Sequence, residues 1–213
     1  MITIVIADDH PVARAGIQNL LKSDTTLVII GEAENGVEAM KLVKKLHPSV
    51  LLLDLRMPGP RPAEIERFVR TNFPETVTLV LTAHDRDVYL AEMIEAGVSG
   101  YFSKSVRGEE LIKAIHRAVD GEYLFTKEQK MRVKHWRESK SDKREMLTKR
   151  EREILSLMCN GLNNTSISKD LGITYRTTAF HVTNILKKLE VDSRQKAVAW
   201  AYENFGDDFY PEK

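Results

Sequence analysis

The chain has 213 residues, of which 42% are hydrophobic, 30% charged and one is a cysteine, which suits one or two ordinary domains and excludes a disulfide-stapled or cysteine-rich metal scaffold. Its 32 Lys and Arg nearly cancel its 31 Asp and Glu, for a formal net charge of +1, which excludes a uniformly basic nucleic-acid coat and an acidic disordered chain. No apolar run approaches the roughly 18 residues of a membrane span, and the N-terminus meets Asp8 without a basic region, so the chain reads as cytoplasmic, with no signal peptide and no membrane partner.

From the N-terminus, short apolar runs alternate with segments of helical period. Strands are expected at Ile2–Ala7, Val28–Gly31, Val50–Asp54, Thr78–Thr82 and Gly100–Phe102. Helices are expected at about Pro11–Lys22, Gly36–Leu46, Ala63–Asn72, Asp87–Ala96 and Glu109–Asp120. Five strand–helix pairs in this order predict an α/β fold, an open doubly wound five-stranded parallel sheet whose ligands bind beyond the carboxyl ends of the strands. Asp8 and Asp9 follow the first strand, Asp54 ends the third, Thr82 ends the fourth and Lys104 lies just beyond the fifth. Three carboxylates crowded at one edge repel one another unless a cation sits among them, and a hard divalent ion, Mg²⁺, suits oxygen ligands. A nucleophilic Asp, a metal, a hydroxyl and a lysine are also the parts that phosphoryl transfer to a carboxylate requires.

The segments Ile6-Ala-Asp-Asp-His-Pro11, Leu52-Leu-Asp-Leu-Arg-Met-Pro-Gly59, Leu81-Thr-Ala83 and Gly97-Val-Ser-Gly-Tyr-Phe-Ser-Lys104 resemble the receiver domain of two-component response regulators, over about residues 1–122. The resemblance implies a flavodoxin-like fold, Asp54 as phosphoacceptor, and Mg²⁺ held by Asp8, Asp9, Asp54 and the backbone carbonyl of Arg56. It further implies Thr82 and Lys104 as phosphoryl-binding residues, with Tyr101 as the aromatic switch residue that moves with Thr82. The chain departs from the family's usual pattern at Pro60-Arg-Pro62, where two prolines should rebuild the loop and the start of the third helix. Arg56 and His84, two residues after Asp54 and Thr82, flank the route of an attacking water and are expected to set the lifetime of an aspartyl phosphate.

The near-zero net charge hides a division. Residues 1–124 hold 18 acids and 14 bases, whereas 125–213 hold 13 acids and 18 bases. Residues 123–146 read as a basic, partly helical linker, since Glu138–Lys143 is polar and without apolar period. Beyond it, Thr148 and Glu151 stand at capping-box spacing before a helix that Gly161 stops. A short helix at about Asn164–Leu171, a turn at Gly172, a third helix capped by Thr174 and running to about Leu189, and a fourth at about Ser193–Asn204 follow. Two helices joined by a tight Gly-containing turn suit a helix-turn-helix. Cys159 reads as a small buried hydrophobe, and Trp200, Tyr202, Phe205 and Tyr210 as core and dimer surface.

The segments Leu147-Thr-Lys-Arg-Glu-Arg-Glu-Ile-Leu155, Gly161-Leu-Asn-Asn164, Leu171-Gly-Ile173, Thr177, His181-Val182, Asn184–Val191 and Arg194–Val198 resemble the LuxR-type DNA-binding domain over about residues 147–202, within a C-terminal domain of residues 147–213, so that the whole chain resembles a NarL/FixJ-subfamily response regulator. The resemblance implies a phosphorylation-controlled transcription regulator rather than an enzyme. Its implied partners are a cognate histidine kinase, double-stranded DNA bound as a homodimer, and, as a further candidate, RNA polymerase. DNA contacts are expected from Lys169, Arg176, Thr177, Thr178, Ala179, Phe180, His181, Thr183, Asn184, Lys187 and Lys188, and dimer contacts from Ser193, Ala197, Val198 and Ala201. Where the family commonly has Thr-Val-Lys-x-His, this chain has Thr177-Thr-Ala-Phe-His181, so the usual groove lysine is Ala179 and sequence preference should be unusual. The acids Glu203, Asp207, Asp208 and Glu212 should lie away from the duplex. Two other readings are a phosphate-independent receiver acting as an interaction module, and a phosphoaspartyl hydrolase. Arg56 argues against the second, since it stands where a hydrolase of that kind needs an acid–base carboxylate.

Overall fold

Strand residues of alternate parity face opposite sides of one sheet. Ile4, Ile6, Leu52, Leu79 and Leu81 pack with Ile17, Leu21, Leu111 and Ile115 on one face. Val5, Ala7, Leu51 and Leu53 pack with Ala39, Val43, Ile65 and Val69 on the other. Strands buried on both faces require helices on both sides, which is the doubly wound solution. The computed structural model describes residues 1–205, apart from the side chains of 139–146 and of residue 203. The tail acids Asp207, Asp208 and Glu212, the Glu203 side chain and Tyr210 therefore lie outside the described residues.

The first unit, Met1–Lys130, runs β1 (Ile2–Ala7), α1 (Pro11–Leu21), β2 (Leu27–Ala33), α2 (Gly36–Leu46), β3 (Val50–Leu53), α3 (Pro62–Asn72), β4 (Val77–Thr82), α4 (Asp87–Ala96), β5 (Gly100–Ser103) and α5 (Gly108–Val119). All strand pairs are parallel, in the order β2-β1-β3-β4-β5. The order reverses between β1 and β3, where such sheets open a crevice at their carboxyl ends. Strand β2 is longer than expected because Glu32 and Ala33 continue the pairing with Ile6 and Ala7. Glu32 fits this place by accepting hydrogen bonds from Arg14 and Gln18 on α1. At the proline loop, α3 starts at Pro62, where a missing N–H costs nothing. Glu64 accepts from the Arg61 N–H at 3.1 Å, and the Gly36 N–H donates to Pro58 O at 2.9 Å.

Residues read as a partly helical linker form one helix, α6 (Lys127–Met146), opened by reciprocal hydrogen bonds between Thr126 and Gln129. Its Lys, Arg, Glu, Gln and Met content carries high helix propensity without an apolar face. The division between units falls after Lys130, inside this helix.

The second unit, residues 131 onward, contains α7 (Lys149–Cys159), α8 (Asn164–Asp170), α9 (Tyr175–Lys188) and α10 (Arg194–Phe205). The expected capping box is formed: Thr148 Oγ1 accepts from Glu151 N, and Glu151 Oε2 from Thr148 N. Asn163 and Thr174 cap α8 and α9 by accepting from Ser166 N and Thr177 N. Gly172, at φ +62°, makes the turn between them, in the left-handed region that favours glycine. Leu147, Ile154, Leu155, Met158, Ile167, Val182, Ile185, Ala197 and Ala201 form the core with Cys159, whose thiol burial pushes up to about 12, so it is an inert hydrophobe as expected.

Candidate functional site

The carboxyl ends of β1, β3, β4 and β5 bring Asp8, Asp9, Asp54, Thr82 and Lys104 to one edge. Asp8 and Asp54 are buried, and the Lys104 ammonium lies 2.7 Å from Asp8 Oδ2 and 3.0 Å from Asp54 Oδ2. Burial pushes the Asp54 carboxyl above the usual carboxylate range, against the opposing pull of Lys104. Burial alone would lower the Lys104 ammonium, but Asp8 and Asp54 outweigh it and hold the pKa above the ordinary lysine value. One oxygen each from Asp8, Asp9 and Asp54, with a His10 ring nitrogen, lie within 4.8 Å of one another. Buried carboxylate oxygens so placed suit a hard divalent cation, and they satisfy the chemistry of Mg²⁺ better than that of softer metals.

Two residues that sequence reasoning passed over shape this edge. His10 Nδ1 lies 2.6 Å from Asp9 Oδ1, and the His10 N–H donates to Asp8 Oδ1 at 2.9 Å, so it orients both acids. Arg14, buried on α1, donates to the Asp8 carbonyl at 2.6 Å while its other nitrogens meet Glu32 and Glu34. The signal for Arg14 was its place one turn before Ile17 on the buried stripe of α1, where an arginine requires partners.

The expected switch residues meet at His84. Thr82 Oγ1 accepts from the His84 N–H at 2.9 Å, leaving the hydroxyl proton as a donor, and the Tyr101 hydroxyl donates to the His84 carbonyl at 3.0 Å. The Tyr101 ring is buried, and its backbone carbonyl accepts from Gln129 Nε2 at 2.9 Å. Tyr101 thus joins the loop beside the acidic pocket to the first turn of α6. An Arg56 guanidinium nitrogen stands 3.5 Å from the Tyr89 hydroxyl, and the His84 imidazole is held below its usual pKa by burial and by Arg56.

On α9, Arg176, Phe180, Thr183 and Lys187 are exposed, while Thr177, Ala179, His181 and Asn184 are half-buried. Lys169 is exposed on α8. One expected phosphate anchor is corrected: Thr178 is buried and its hydroxyl donates to Thr174 O. Lys188 Nζ donates to Glu151 Oε2 at 2.7 Å and ties α9 to α7, while its side chain stays 35% exposed. Two expected dimer residues are likewise turned inward: Ala197 and Ala201 are 0% exposed, leaving Ser193 and Val198 with surface.

A metal-ready acidic edge on a doubly wound sheet, followed by a helix-turn-helix, defines a signal-receiving DNA-binding protein. Residues 4–116 match the family described as "Response regulator receiver domain" and residues 145–201 that described as "Bacterial regulatory proteins, luxR family". The response regulator protein VraR of Staphylococcus aureus is 33% identical over 205 residues, 95% of this chain and 97% of that protein. Among solved structures, RcsB of Salmonella typhimurium matches with a TM-score of 0.63 at 24% identity, covering 94% of this chain and 98% of that one, a likeness of fold. An RcsB–DNA complex matches with a TM-score of 0.61 at 25% identity, covering 95% and 98%. This chain belongs to the response regulators that join a receiver to a LuxR-type DNA-binding domain. Among the described residues no helix is long and apolar enough to cross a membrane.

Proposed function

We propose that this protein is a phosphorylation-controlled transcription regulator of a two-component system, phosphorylated at Asp54 by a histidine kinase and binding DNA as a homodimer. The observation that carries the reading is the Lys104 ammonium held between buried Asp8 and Asp54 at the sheet's carboxyl edge. A carboxylate oxygen of Asp54 attacks phosphorus in the kinase phosphohistidine, forming an O–P bond as the P–N bond breaks and the imidazole takes up a proton. Asp8, Asp9, Asp54 and the Arg56 carbonyl would hold Mg²⁺, which would supply positive charge against that developing on the phosphoryl oxygens. Lys104 then moves from pairing with carboxylate to pairing with phosphoryl, and the Thr82 hydroxyl donates to it. Because Thr82 and Tyr101 both hold His84, a pull on Thr82 is felt at Tyr101 and, through its carbonyl, at Gln129. A local charge event thereby biases the receiver surface and α6.

The test compares dimerisation by sedimentation and binding to a promoter library before and after beryllofluoride with Mg²⁺. Wild type should gain both on treatment and Asp54→Ala should gain neither; an equal response from the two proteins would sink the switch. Arg56 and His84 crowd the water route, and removing either should shorten aspartyl-phosphate lifetime several-fold. Phosphoprotein decay followed on Phos-tag gels checks this with Arg56→Asn and His84→Ala, and rates equal to wild type would refute it.

A further inference from the structure

The outer face of α9 has basic ends and an apolar middle. At helical spacing, Arg176, Phe180, Thr183 and Lys187 succeed one another along one stripe, and all four are exposed. Phe180 is 63% exposed, and its ring stands edge-on to that of His181, with centroids 5.9 Å apart at 65°, so a neighbouring ring braces it while leaving it accessible. Hydroxyls that could read bases are used within the helix. Thr183 Oγ1 donates to Ala179 O at 3.0 Å, Thr178 Oγ1 to Thr174 O, and Thr177 Oγ1 pairs with Thr174 Oγ1 at 2.8 Å. With its hydroxyl turned back along the helix, Thr183 is left to offer its methyl group. A helix that carries positive charge at both ends and hydrocarbon between them is complementary to a polyanion with methyl groups in its groove, which is the major groove of an A·T-bearing duplex.

Resting on the DNA reading above, we propose that Phe180 and the Thr183 methyl are specificity-determining residues that select thymine by its 5-methyl group, so that the pairs under the middle of α9 are specified as A·T through apolar contact. Ala179, next to Phe180, brings neither charge nor a hydrogen-bonding group to this part of the helix. Asn184 flanks Phe180 on the same side, and its amide can bond the adenine of such a pair through N6 and N7. Arg176 and Lys187 sit one turn beyond the apolar centre on either side, where phosphates fix register.

The experiment uses the full chain. An operator is selected from a random duplex library with beryllofluoride and Mg²⁺ present, and each thymine is then replaced singly by deoxyuridine, which deletes the methyl and keeps every hydrogen-bonding group. At one or two thymines per half-site the affinity should fall about fourfold, the worth of one buried methyl. Phe180→Ala should erase that thymine-over-uracil preference at the thymine the ring covers, leaving only what the Thr183 methyl supplies, while melting at the wild-type temperature, since Phe180 supports no core. Thr183→Val, which keeps the methyl and puts a second in place of the hydroxyl, should preserve the preference, and Thr183→Ser, which keeps only the hydroxyl, should reduce it. Duplex binding by wild type that ignores every deoxyuridine, or a preference that is undiminished at every thymine in Phe180→Ala, overturns this proposal alone. Failure of wild type to bind any duplex at low salt overturns the DNA reading and this proposal with it.

Discussion

Lys104→Met makes the stability of the receiver depend on divalent cation. In wild type the ammonium sits within 3.0 Å of both Asp8 and Asp54, two carboxylates with almost no access to water. Removing one partner of a buried ionic cluster leaves uncompensated charge, at a cost of about 3 kcal/mol. In EDTA at pH 7.5 the variant should therefore melt well below wild type. The pH dependence has a defined sign. Burial already raises the Asp54 pKa, and losing Lys104 raises it further. The penalty is thus largest above that pKa and shrinks as pH falls and Asp54 takes up a proton. Added Mg²⁺ replaces the missing charge and should restore about 2.7 kcal/mol at a hundredfold excess over its dissociation constant. Asp54→Asn in the same background should recover part of the stability without metal, because the Asp8–Asp54 repulsion no longer exists while Asp8 stays buried without its ammonium. A variant that melts like wild type in EDTA would show that Lys104 does not balance these acids.

The layout of the receiver was legible because its strands are buried on both sides and so read as short unbroken apolar runs between segments of helical period. Each chemically loaded residue follows such a run directly. The acidic edge was readable for the same reason, since parallel strands deliver all their carboxyl ends to one side. What periodicity could not separate was which residues of a known helix turn inward. Lys188 resembles any basic residue near a helix C-terminus, and only Glu151, thirty-seven positions away, reveals its ion pair with α7. Ala197 and Ala201 carry so little side chain that their sequence says nothing of orientation, and the packing of α10 against α7 and α9 places them in the core. Arg14 and His10 hold the pocket through backbone and carboxylate contacts that depend on tertiary approach, beyond the reach of local pattern.

Glu66→Gln should stabilise the receiver at alkaline pH and leave it nearly unchanged in acid. Glu66 lies on α3 between Ile65 and Val69, is only 4% exposed, and its Oε2 has no hydrogen-bond partner among the described residues. Burial raises its carboxyl from the ordinary 4.5 to about 7, with the Thr78 hydroxyl and the Arg70 guanidinium acting weakly in the other direction. A carboxyl whose folded pKa is raised favours the folded state fully below its unfolded value. That advantage is lost as pH climbs through 4.5 toward 7, because the folded chain must then ionise a buried acid or keep a proton the unfolded chain releases. The displacement corresponds to roughly 3 kcal/mol at pH 8. Glutamine matches the neutral acid in shape and carries no charge, so the variant should equal wild type near pH 4.5 and exceed it by that amount at pH 8. Hydrogen exchange of α3 and β4 amides across this range reads the difference locally, without relying on a single transition for a two-unit chain. The element that feels this acid is the one packed on α4: the Arg70 guanidinium reaches the Ala96 carbonyl at 3.5 Å, at the end of that helix. Ionising Glu66 should therefore loosen the α3–α4 contact before the rest of the sheet, so that wild-type protection at pH 8 falls first in α3 and α4 and the glutamine variant removes that early loss. A protection difference between the two proteins that is the same at pH 5 and pH 8 would mean that Glu66 does not titrate in the fold.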